Sequence, residues 1–141
     1  MGLLKKIFKH GIGTPWYIIK AIFGLLVCKI SLSTYSFTDF KSKYNKHITT
    51  SEDEVTPQAT FNLLTYGVNA ASSLLPSSCL QKALLLKYYL RKDKTYKIII
   101  GIPQSSVSSL PFTAHAWIER NHIKVYGNIP SEKLTPLWEW N

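Results

Sequence analysis

Apolar residues recur every three or four positions through the first ninety residues of the chain, then gather into short runs and alternations. The first recurrence is Trp16, Ile19, Phe23, Leu26 and Ile30. Thr14 followed by Pro15 is a helix start, with the threonine as cap and the proline in the first turn. The pattern predicts an amphipathic helix that packs on the domain or on a partner. Lys20 and Lys29 interrupt it, so the uninterrupted apolar stretch is residues 21–28, short of the roughly 20 residues a spanning helix needs. Residues 35–50 are polar and basic, a second short helix or a linker. In "TTSEDEV", Ser51 and Glu54 have capping-box spacing, which predicts a helix from Val55 or Pro57 to Leu74 with Phe61, Leu64, Val68 and Ala71 on its apolar face. Pro76, Ser77 and Ser78 stop that helix and cap the next, over residues 78–91, which is apolar on most sides and therefore central.

The period then changes. Residues 95–102, "TYKIIIGI", are rich in β-branched side chains and predict a buried strand. A loop over 103–111 leads to a strand over 112–120, a tight turn at Arg120, Asn121 and His122, and a third strand over 122–126. The tail "YGNIPSEKLTPLWEW" reads as turn-rich, with Leu137, Trp138 and Trp140 docked on the core. Helices first and an antiparallel meander afterwards make an α+β domain. The expected division is a basic helical region over 1–50, packed on the core or a partner, and the domain proper over 51–141.

Charge adds to this picture. The net charge is +9, and the first fifty residues hold eight lysines against one acid, Asp39. Such a half suits an acidic partner, a membrane surface or a solvated face. Docking on the domain or a partner comes first and peripheral membrane contact second. The lysines lack interleaved aromatics, so no nucleic acid partner is expected. The two cysteines, Cys28 and Cys79, form no paired framework, which fits a reducing cytoplasmic setting. Neither has a histidine or second cysteine at metal-ligand spacing, so no metal and no cofactor is expected.

Cys79 opens the central helix. There its sulfur sits near unpaired backbone N–H groups and the positive end of the helix dipole, both of which favour a thiolate. Its own N–H has no intrahelical acceptor and is available to an oxyanion. A buried structural cysteine is the plain alternative. In the alternation "AHAWIE", His115, Trp117 and Glu119 point one way and Ala114, Ala116 and Ile118 the other. The small alanines leave room for a helix beside His115. A thiolate–imidazole pair needs a third group to orient the ring. Asn128, just after the third strand, is the first candidate, with Asn121 and Glu119 behind it.

The ordered set "SSCLQKALLLKYYL", "KIIIGI", "FTAHAWIE", "VYGNIP" and "LTPLWEW" resembles the lasso-peptide leader peptidases, which are transglutaminase-like processing proteins. The resemblance covers residues 57–141. It implies a papain/transglutaminase-like fold and a cysteine peptidase that removes the leader from a lasso-peptide precursor through a thioester. Cys79 matches the family nucleophile and His115 the family base; the family aspartate falls on Asn128 or, in an alternative placement, on Asn121, either of them an amide and a departure from the pattern. The resemblance further implies the split form of the enzyme, a separate leader-recognition protein, a lasso cyclase acting next, and a threonine at the next-to-last leader position. A transglutaminase-like amide-transfer enzyme and a non-enzymatic partner- or membrane-binding module are the alternatives.

Overall fold

The computed structural model describes residues 13–103, 114–127 and 134–140. Four helices come first: α1 (Thr14–Thr34), α2 (Phe37–Ile48), α3 (Gln58–Leu74) and α4 (Cys79–Tyr89). Four strands follow: β1 (Tyr96–Pro103), β2 (His115–Arg120), β3 (Ile123–Tyr126) and β4 (Leu134–Trp140). They form one antiparallel sheet in the order β3-β2-β1-β4. The architecture is the α+β arrangement expected of a papain-like fold.

α4 is the central helix. Ala83, Leu84 and Leu86 are fully buried and join Ile98 of β1 and Ala116 and Ile118 of β2 in one core. Lys87, also buried, donates from Nζ to the Tyr96 carbonyl at 2.6 Å and ties the last turn of α4 to β1. α3 packs through Phe61, Leu64, Val68 and Ala71, the face its spacing predicted. α1 and α2 add Ala21, Leu25, Phe40, Tyr44 and Ile48 to the same cluster. The Tyr44 hydroxyl donates to the Leu84 carbonyl, and Trp140 Nε1 donates to Asn45 Oδ1, both at 2.6 Å. α2 is thereby fastened to both the central helix and the sheet.

Four local expectations are corrected. α1 buries Thr14, Ile18, Ala21 and Leu25, whereas Trp16, Ile19, Phe23, Leu26 and Ile30 are 40–69% exposed. The helix is apolar on both sides, and spacing alone cannot say which side meets the core. What selects the buried side is close approach to α3: a Cβ on Gly67 would lie 2.8 Å from the Tyr17 carbonyl oxygen. α1 is long and apolar enough by length and composition to cross a membrane, yet one of its faces is packed on α3 and α4. Its cap is Gly13 rather than Thr14.

The supposed capping box of Ser51 and Glu54 does not start a helix. α3 begins at Gln58 with Pro57 at the cap, because proline drives the residue before it out of the helical region. Glu52 and Glu54 instead pair with Lys92, at 2.6 and 3.6 Å. The tail is a strand rather than a string of turns: β4 pairs with β1. Pro136 is accommodated opposite Gly101, at a register shift on an edge strand, where a missing N–H costs little. Trp140 is buried as expected, and the side chains of Leu137 and Trp138 lie outside the described residues.

Candidate active site

The entry to α4 is built by its own sequence. Ser78 Oγ accepts the Gln81 N–H at 3.2 Å, and Gln81 Oε1 accepts the Ser78 N–H at 2.9 Å, a complete capping box. This arrangement places Cys79 as the first helical residue, with its side chain half-buried. Its backbone N–H has no acceptor among the described residues. The sulfur lies 4.0 Å from the Ala114 carbonyl oxygen, the residue that precedes β2. The helix mouth thus faces the start of the histidine strand.

His115 opens β2, paired to Gly101 of β1. Its Nε2 lies 2.6 Å from the Gly127 carbonyl oxygen. A carbonyl only accepts, so Nε2 carries the hydrogen and Nδ1 is the basic nitrogen of the neutral ring. Gly127 has φ +79°, a left-handed conformation that glycine enters without penalty. A Cβ there would press within 3.0 Å of the Ala116 carbonyl oxygen. Glycine therefore lets the chain turn after β3 and lay its carbonyl against the imidazole. Trp117 stacks beside the ring, with centroids 6.3 Å apart.

Cys79 and His115 line one cleft of about 350 Å³, together with Asn69, Lys82, Lys124, Tyr126 and Gly127. Asn128, the first candidate for orienting His115, lies outside the described residues. The two alternatives are engaged elsewhere. Glu119 accepts Trp117 Nε1–H at 2.8 Å. Asn121 occupies the β2–β3 turn with φ 51°, at the far end of β2 from His115. The observed partner of the ring N–H is a main-chain carbonyl.

The lining is cationic. Lys82 lies one turn along α4 from Cys79, Lys124 sits over the Trp117 ring at 4.9 Å, and no carboxylate borders the cleft among the described residues. Positive charge near the helix mouth favours an anionic or electron-rich substrate group. Among the described residues no group of three metal-ligating side chains occurs. The larger cavity, about 560 Å³, lies between α1, α2 and α4 around Cys28 and contains neither Cys79 nor His115. Burial pushes the Cys28 thiol up to about 11.

Sequence reasoning passed over Lys82 and Lys124, and with them Gly127, Asn69 and Tyr126. Gly127 sat inside a turn signal that explained it fully. Asn69 and Tyr126 gave no signal: one is a polar residue on an amphipathic helix, the other an aromatic in a short strand. Only the apposition of α3 and β3 makes them neighbours, with the Tyr126 hydroxyl donating to Asn69 Oδ1 at 2.7 Å.

This combination, a cysteine at the mouth of a helix against an antiparallel strand that begins with histidine, accords with the comparisons. No curated protein and no solved structure matches the chain. The family model of the transglutaminase-like superfamily matches residues 24–139, from the middle of α1 almost to the end of β4. The chain belongs to the transglutaminase-like superfamily, whose members include cysteine peptidases and amide-transferring enzymes.

Proposed function

We propose that the protein is a cytoplasmic cysteine peptidase that removes the leader from a lasso-peptide precursor, with Cys79 as nucleophile and His115 as acid–base. The observation that carries this reading is the shared cleft: a thiol at a helix N-terminus opens onto the same space as an imidazole whose Nε2–H is already held by a carbonyl. In the resting pair His115 Nδ1 takes the thiol proton. The thiolate attacks the last leader carbonyl carbon, an S–C bond forms and the carbonyl oxygen becomes an oxyanion, which the Cys79 N–H stabilises. As the C–N bond breaks, His115 gives its proton to the departing amine. Water, deprotonated by His115, then displaces sulfur from the thioester and leaves a leader carboxylate. Asn128, the residue after Gly127 in the sequence, is the position that the family resemblance assigns to the third group.

In this reading a separate leader-recognition protein delivers the precursor and a lasso cyclase takes the freed core. The test is incubation of this chain with precursor and leader-recognition protein, read by mass. Hydrolysis gives leader plus core with one water added; amide transfer instead joins an amine to the acyl fragment. Cys79→Ala is expected to abolish leader release and still bind the partner. Release at the parental rate by that variant would refute the assignment.

A further inference from the structure

We propose that Asn69 is the second oxyanion donor of this site, its side-chain amide acting beside the Cys79 backbone N–H. The inference rests on the acyl-transfer reading above, whichever acyl substrate the site takes. An oxyanion formed on a carbonyl attacked by Cys79 lies next to the helix mouth, and two donors there hold it far better than one. Asn69 stands on α3, the helix that leads into the turn before Cys79, and it borders the same cleft as Cys79 and His115. Its amide has a defined orientation. The Tyr126 hydroxyl donates to Oδ1 at 2.7 Å, so the acceptor end is occupied and the NH2 end is the unused one. Among the described residues Nδ2 makes a hydrogen bond to nothing. Burial pushes the Tyr126 hydroxyl up to about 12, so it remains a donor throughout the neutral range.

The same short segment therefore serves both halves of the site. Tyr126 fixes the amide that faces the substrate oxygen, and the next residue, Gly127, fixes the imidazole that moves the proton. Asn69 touches the reacting oxygen and is catalytic in this proposal; Tyr126 positions it.

Two reactions of the same thiol separate this role from a structural one. Acylation of Cys79 by p-nitrophenyl acetate passes through an oxyanion; alkylation by iodoacetamide does not. In Asn69→Ala the acylation rate at Cys79 is expected to fall by about 100-fold or more, the usual cost of losing one such donor, with alkylation unchanged. Tyr126→Phe, which keeps the amide but frees it to rotate, is expected to lose about tenfold in acylation only. With the precursor as substrate, the loss in Asn69→Ala should fall on kcat and leave KM near the parental value. Unchanged acylation in Asn69→Ala, or a proportional fall in both thiol reactions, overturns the proposal. Failure of the parental protein to cleave the precursor, with the acylation difference intact, overturns the peptidase reading and leaves Asn69 in its role.

Discussion

Cys28 and Cys79 are both half-buried thiols, yet their surroundings differ. Cys28 sits on α1 against the core, among Phe40, Tyr44 and Tyr89, where desolvation penalises the thiolate and pushes the thiol up to about 11. Cys79 faces an open cleft lined by Lys82 and Lys124. At pH 7.5, peptide mass mapping after brief iodoacetamide treatment should therefore find the label on Cys79 well before Cys28. Comparable labelling of both would remove the distinction between an active and a packing cysteine. The sequence supported this contrast only in part: the Ser-Ser-Cys helix start was visible, whereas the desolvation of Cys28 depends on α2 and α4 closing over α1. The orienting group for His115 escaped for a related reason. Among side chains the sequence offered Asn128, which lies outside the described residues, and Asn121 and Glu119, which are engaged elsewhere; the hydrogen bond that is seen goes to the Gly127 main chain, and backbone carbonyls leave no mark in composition.

At the scale of elements, the helices with one apolar stripe were predictable and those with two were not. α3 buries Phe61, Leu64, Val68 and Ala71 because its other face is polar. α1 presents apolar residues on both sides, so its packed side was decided by Gly67, where the two backbones come together. The junction between α3, α4 and β1 has its own anchor. Asp93 is almost fully buried and accepts the Thr56 N–H at 2.7 Å, the Thr95 N–H at 3.1 Å and the Thr95 hydroxyl. Burial pushes its carboxyl up, but the hydrogen bonds outweigh burial and the net result lies below the usual carboxylate value. A depressed folded-state value contributes stability that is complete above the unfolded value, about 3.9, and is lost as pH falls through the folded one. Asp93→Asn is expected to cost about 1–3 kcal/mol at neutral pH. In denaturant titrations the gap to the parental protein should stay constant from pH 7 to 5 and narrow in stronger acid. A gap that widens in acid would contradict the assigned sign.

The whole molecule presents two unlike surfaces. One is the cationic cleft; the other is the outer side of α1, where Trp16, Ile19, Phe23 and Ile30 are each more than 60% exposed. A contiguous apolar stripe of this kind favours self-association in a free protein. Ile19→Ser together with Ile30→Ser should lower light scattering at high concentration and leave the melting temperature nearly unchanged, since exposed substitutions shift stability by only about 0.5 kcal/mol. A large drop in melting temperature would mean that this side of α1 packs internally after all. By itself the sequence determined that helices precede an antiparallel sheet, the α+β class, the cap that presents Cys79 and the strand that carries His115, because each rests on contacts within a few residues of the chain. Only the tertiary structure decided which side of α1 is buried, that the tail becomes the β4 edge, and that Asn69, Tyr126 and Gly127 meet Cys79 and His115 in one cleft. Those outcomes depend on surfaces far apart in sequence fitting together, and periodicity, which is local, carries no record of them.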